Sequence, residues 1–285
     1  MKNKITKIDN LTIIEENDKK YCIKKNKNKN ITNTLNYLKS KDFNNIIPTR
    51  IVNGFEIRNY IPNIKIEDED KLNELVYLLT ILHTKTTHYK NISLDEIKKI
   101  YEEKTDSIID IKNYYDRILE ENDELLFLPP SIYLLERNIS LILKSCDTSK
   151  MFLDKWYDLI KNKKTKRVVY NHNNLKLSNL IINKYPYLIN WDNLLIDYPI
   201  YDLLSLFKNN YKNMDMIDLF IIYNSKYQLL EEELYFLFSS LLEIEKIDFT
   251  SDELLNTALL YEKIKYLQKI NEFLKEYMKR KKNKC

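Results

Sequence analysis

The residues best equipped for chemistry lie in one stretch, His172-Asn173-Asn174-Leu175-Lys176-Leu177-Ser178-Asn179, followed after a short hydrophobic run by Asn190-Trp191-Asp192. Asn174 carries a neutral amide, which cannot take a proton as a general base. Asn179, Asn190 and Asp192 bring three further side-chain oxygens into the same stretch. Asn190 offers one uncharged carbonyl, whereas magnesium prefers hard, anionic oxygen. Asp192 has two readings, a carboxylate turned toward a metal or the cap of a turn or helix start.

Short β-like runs must hold these residues. Arg167 to Tyr170 leads into the stretch, Leu180-Ile181-Ile182 follows it, and Tyr187-Leu188-Ile189 delivers Asn190. Upstream, Leu11 to Glu15 and Tyr21 to Lys25 are β-rich runs separated by the polar segment Glu16-Asn17-Asp18-Lys19-Lys20, which predicts a hairpin. Ile31 to Ser40 reads as a short helix. Arg50 to Val52 and Phe55 to Tyr60 form a second hairpin around Asn53-Gly54, a strong turn dipeptide, with Tyr60 to Asn63 as the hinge.

Against the protein-kinase motifs H-R-D-L-x-x-x-N and D-F-G, His172, Leu175 and Asn179 fall in register while both aspartate positions hold asparagine, Asn174 and Asn190. Lys24, in Tyr-Cys-Ile-Lys, falls where V-A-I-K places the phosphate-pairing lysine. On these residues the chain resembles the aminoglycoside and choline phosphotransferase branch of the protein-kinase-like fold, especially its spore-coat-associated relatives. The resemblance implies an α+β, bilobal protein-kinase-like fold. Residues 1–62 would form a small β-rich N-lobe and residues 63–285 a large helical C-lobe, together one domain.

Carried over residue by residue, the resemblance makes Asn174 a degenerate base and Lys24 a phosphate contact. Asn179 and the degenerate Asn190 become metal positions, with Asp192 a further candidate. His172 would hydrogen-bond backbone and shape the loop, and Asp202, in Pro199-Ile200-Tyr201-Asp202-Leu203, would brace it. Lys176 matches a lysine of the kinase loop and reads equally as a solvated surface residue. No Glu or Asp occurs from Asn26 to Ser40, so the usual lysine to glutamate ion pair finds no partner in the helix after Lys24. A phosphate-covering glycine loop is missing too, since the chain's one glycine, Gly54, lies in the other hairpin.

Beyond the loop, helical periodicity dominates. Asp70 to His83 places Leu72, Leu75, Val76, Leu79 and Leu82 at a spacing near 3.6, with His83 as a partly buried packing residue. Similar patterns run through Leu94–Leu119, Ser131–Leu143, Phe152–Ile160, Ile200–Phe207, Glu231–Leu242 and Leu254–Tyr277, with a break at Pro129-Pro130.

Composition narrows the function classes. The 46 basic and 42 acidic residues are interspersed, giving a net charge of +4, which argues against a nucleic-acid footprint. The runs Lys24–Lys29 and Lys279–Lys282 read as solvated faces, the second at a helix C-terminus. Cys22, Cys146 and Cys285 are odd in number and far apart, His83, His88 and His172 lack metal-ligand spacing, and no apolar run reaches membrane-spanning length. These features predict a reduced, cytoplasmic protein with no membrane insertion, and the resemblance adds a spore-coat location.

Two functions follow. One is a pseudokinase acting by protein binding, with spore-coat components as partners and no cofactor. The other is an active ATP-dependent phosphotransferase on a small hydroxylated substrate, using ATP and magnesium.

Overall fold

A computed structural model describes residues 4–8, 11–16, 19–25 and 30–283. Asn17-Asp18 of the first predicted turn, residues 26–29 of the Lys24–Lys29 run, and Cys285 lie outside the described residues. The elements in chain order are β1 Lys4–Ile8, β2 Leu11–Glu16, β3 Lys19–Lys25, α1 Ile31–Ser40, β4 Thr49–Val52, β5 Phe55–Asn59, α2 Asp68–Thr86, β6 His88–Asn91, α3 Leu94–Asn122 and α4 Pro130–Ile160. They continue with β7 Thr165–Asn171, β8 Leu180–Ile182, β9 Pro186–Leu188, β10 Leu195–Asp197, α5 Ile200–Asn210, α6 Met216–Lys226, α7 Glu231–Leu242 and α8 Glu253–Lys282. The chain divides into two compact units, residues 1–88 with 167–228, and residues 89–166 with 229–285. Segment 63–88, read from sequence as the start of the helical lobe, groups with the N-terminal sheet.

In the first unit, five antiparallel strands lie in the order β1-β2-β3-β5-β4. The β4–β5 turn needs positive φ at both central residues, and Asn53 (52°) and Gly54 (80°) supply it. Lys24 is paired with Glu56 across β3 and β5, so both side chains leave the same face of the sheet. The β8–β9 hairpin is anchored from two sides. Leu188 N–H donates to Asn45 O, Ile64 N–H donates to Ile182 O, and Asn63 Oδ1 accepts from Ile182 N–H. Below it, α2 buries Leu72, Leu75, Val76, Leu79 and Leu82 at the predicted spacing.

In the second unit, α3 starts at a reciprocal cap in which Ser93 and Glu96 satisfy each other's backbone N–H. The two helices expected at Ser131–Leu143 and Phe152–Ile160 are one helix, α4. Of the residues between them, Lys144 and Asp147 are exposed and the small ones face inward. Ser145, Cys146 and Ser149 are buried, and Ser149 Oγ donates to Ser239 O of α7 at 2.9 Å. Trp156 stacks on Phe236 at 4.7 Å. Ser131 meets Glu253 and Ser145 meets Asn271, so α4 and α8 run in the same direction. No helix among the described residues is long and apolar enough to cross a membrane.

Candidate functional site

The loop after β7 is built by one face of α5. Asp202 and Ser205 are three residues apart and project together, with Asn210 further along. Asp202 is fully buried and accepts two successive backbone N–H groups, from His172 (2.9 Å) and Asn173 (2.6 Å). Asn173 reaches this geometry at φ 53°, a left-handed conformation that asparagine tolerates better than most residues. Ser205 Oγ accepts from Leu175 N–H, and Asn210 Nδ2 donates to Leu175 O.

His83 completes the brace from α2. Its Nε2 lies 3.1 Å from Asp202 Oδ2 and its Nδ1 lies 2.7 Å from the Tyr223 hydroxyl. All three groups are satisfied when Nε2–H donates to the carboxylate and Tyr223 donates to Nδ1. The sequence predicted a partly buried packing residue here; the side chain is fully buried and hydrogen-bonded because Asp202 supplies an acceptor from a helix more than a hundred residues away.

His172 Nε2 donates to Ile189 O at 2.9 Å, and its ring meets Trp191 edge-on at 4.6 Å. Complete burial lowers its pKa, more than Asp202 raises it, so the ring is held neutral. The loop and the segment delivering Asn190 are thereby one unit. Lys176 is exposed and contributes its backbone N–H to Asn174 O.

At the centre, five predicted residues come together. Asn179 Nδ2 donates to Asn174 O (2.8 Å), and Asn190 Nδ2 donates to Asn179 Oδ1 (2.6 Å). Lys24 Nζ donates to Asn190 Oδ1 at 3.4 Å and forms an ion pair with Asp192. Asn190 adopts φ 65°, again a left-handed position occupied by asparagine. Asp192 lies in the short turn Trp191–Asn193, but its carboxylate faces Lys24 rather than capping backbone. The lysine partner missing from α1 is therefore supplied by Asp192.

Glu56 was not singled out from the sequence, although its register opposite Lys24 becomes visible once both hairpins are drawn. It is only 9% exposed, and its Oε1 is buried without a hydrogen-bond partner, as is Asp192 Oδ1. Burial raises the Glu56 pKa, with Lys24 opposing and Asp192 reinforcing. A carboxyl whose folded pKa lies above its unfolded value stabilises the fold at low pH, and that contribution is lost as pH rises through the folded pKa. Glu56→Gln is therefore expected to melt above wild type at about pH 8, with the difference closing by about pH 3, below the unfolded pKa, where the wild-type acid is protonated in both states. Melting curves across that range check it; a variant that melts lower at pH 8 would show that Glu56 acts mainly as a counter-charge to Lys24.

The donor set fits a divalent cation poorly as it stands. Asn179 Oδ1 and Asn190 Oδ1 already accept hydrogen bonds and Asp192 Oδ2 is engaged by Lys24, which leaves Asp192 Oδ1 as the one oxygen of this set without a partner. Among the described residues, no group of three or more His, Cys, Asp or Glu could hold a metal ion.

A five-stranded antiparallel sheet presenting a lysine to a braced loop, in a chain whose remainder is largely helical, defines an α+β protein-kinase-like fold. That fold is shared with aminoglycoside phosphotransferases and choline kinases. An aminoglycoside phosphotransferase from Alicyclobacillus acidocaldarius is similar with a TM-score of 0.72, over 97% of this chain and 92% of that one, at 9% identity. The AMP-bound spectinomycin phosphotransferase APH(9)-Ia gives a TM-score of 0.56 over 93% and 89%, at 16% identity. A choline/ethanolamine kinase family protein from Mesorhizobium loti gives 0.50 over 96% and 90%, at 10% identity. No family model and no curated protein matches the sequence.

Proposed function

We propose that this is a pseudokinase, a kinase-fold protein that acts by binding a protein partner and has lost efficient phosphoryl transfer. The observation that carries the proposal is the Asn190 Nδ2 to Asn179 Oδ1 hydrogen bond. Two side chains that would both have to offer oxygen to a cation instead satisfy each other, Asn190 turning an N–H toward Asn179. The base position adds a second loss, because Asn174 has no carboxylate to accept a hydroxyl proton. The resemblance to spore-coat-associated relatives makes coat components the first partners to try.

The alternative is an active ATP-dependent phosphotransferase acting on a small hydroxylated substrate. One observation favours it: two buried carboxylate oxygens without hydrogen-bond partners, Asp192 Oδ1 and Glu56 Oε1, on residues that lie close to Lys24. The spectinomycin phosphotransferase structures with ADP and with AMP make adenine nucleotides the first ligands to test.

Melting temperature is measured with ATP, ADP or GTP at millimolar concentration, with and without magnesium, alongside ATP turnover. A ligand that binds only the native state raises the midpoint. The pseudokinase reading expects no magnesium-dependent shift and turnover at the level of a protein-free blank. A magnesium-dependent shift with turnover would overturn it in favour of the phosphotransferase.

A further inference from the structure

A cavity of about 570 Å³ lies between the C-terminal halves of α4 and α8, within the second unit and apart from the loop described above. Met151, Phe152 and Leu274 give it an apolar lining. Lys155, Lys275, Lys279 and Lys282 stand around it, and no carboxylate among the described residues lines it. Lys155 is positioned over the rings of Phe152 and Tyr235, at 5.8 and 5.3 Å from their centroids. The nearby acids of α8 are committed elsewhere, Glu272 to Lys269 and Glu276 to Arg280. The cavity therefore suits an apolar group carried on an acidic segment.

The opposite ends of the same two helices offer such a segment. Between α3 and α4, Leu126 is 89% and Phe127 85% exposed. Glu120, Asp123 and Glu124 precede them, all exposed, while Glu121 pairs with Arg117. Leu254, at the start of α8, is exposed as well. A chain's own loop cannot fill its own cavity, because α4 from Pro130 to Met151 separates them by roughly 30 Å at ~1.5 Å per residue.

We propose that the acidic, apolar Asp123–Phe127 loop of one molecule seats in the lysine-rimmed cavity of a second copy. Because α4 and α8 run in the same direction, an antiparallel pair brings each loop to the other molecule's cavity. The contact is then made twice and closes under two-fold symmetry. The pairing uses surfaces separate from the kinase-like loop and holds whether or not nucleotide binds.

Sedimentation velocity over a concentration series tests it on the full chain. Wild type is expected to form a dimer that weakens as salt rises, since the charges are exposed. Phe127→Asp and the double variant Lys275→Glu/Lys279→Glu should each weaken the dimer at least about tenfold, as the loss of a central apolar anchor or of complementary charge does. Both alter exposed side chains, so their melting temperatures should match wild type at concentrations where wild type is itself monomeric. Mixing the two variants should recover association, since one intact loop then meets one intact cavity. Adding Glu120→Lys/Glu124→Lys to the lysine double variant should restore its homodimer. A wild type monomeric throughout the series overturns the proposal, as does a dimer indifferent to either variant.

Discussion

Replacing Asp202 with alanine is expected to cost roughly 3–5 kcal/mol of folding stability, the range for removing one partner of a buried charged network. Asp202 is fully buried and accepts from His172 N–H, Asn173 N–H and the His83 ring. Its removal strands three donors where water cannot replace it, and each unsatisfied group carries a desolvation cost of about 1–3 kcal/mol. Asp202→Asn should recover part of the loss, because an amide oxygen at the Oδ2 position can still accept from His172 N–H and the His83 ring. His83→Ala should cost less than Asp202→Ala, since the two backbone bonds to the carboxylate survive. Urea or thermal denaturation of the three variants gives the ranking; an Asp202→Ala protein as stable as wild type would show that the loop does not depend on α5.

The largest effect on chemistry is expected from restoring acids at the two asparagine positions. Asn190→Asp alone replaces the amide hydrogen shared with Asn179 by an oxygen facing Asn179 Oδ1, beside the carboxylate of Asp192. Without divalent cation this variant should lose about 1–3 kcal/mol of stability. Magnesium should return much of that, because an ion bound only by the folded state stabilises it by mass action. Adding Asn174→Asp supplies the missing base, a function worth about 10² to 10⁴ in rate. The double variant should therefore transfer phosphate from ATP at least ~100-fold faster than wild type where an acceptor is present. A magnesium-independent Asn190→Asp melt would show that the site cannot be rebuilt around a metal by these changes.

The parts of the fold that were legible in the sequence are those whose pattern is local. The Asn53-Gly54 turn fixed one hairpin, and the helix at Ile31–Ser40 and the helix at Glu231–Leu242 were readable from periodicity and appear with the same bounds. What escaped depended on partners distant in sequence. Residues 144–151 fall between the two helical patterns read at Ser131–Leu143 and Phe152–Ile160, yet Ser145 and Ser149 are small enough to let α4 lie close to its neighbours, so the helix continues. Helix α6 was not predicted; its apolar residues run almost without interruption from Met216 to Tyr223, so periodicity had little contrast to work with.

The site divides the same way. His172, Asn174, Asn179 and Asn190 were visible because a loop motif keeps its spacing. The pairing of Lys24 with Asp192 was not, because it joins residues 168 positions apart. Glu56 was hidden for a different reason: an acid in a β-strand reads as a solvent-facing residue until the register places it opposite Lys24.

The two described cysteines have a practical meaning. Cys22 lies in the first unit and Cys146 in the second, both free and buried. Burial raises the pKa of each thiol, that of Cys146 to about 11, so little thiolate is present near neutral pH. In a protein with Cys285 changed to serine, each remaining thiol becomes reactive only when its own unit opens. Labelling kinetics at the two positions would then report two separate opening free energies from one chain, a clock in each half that needs no added probe.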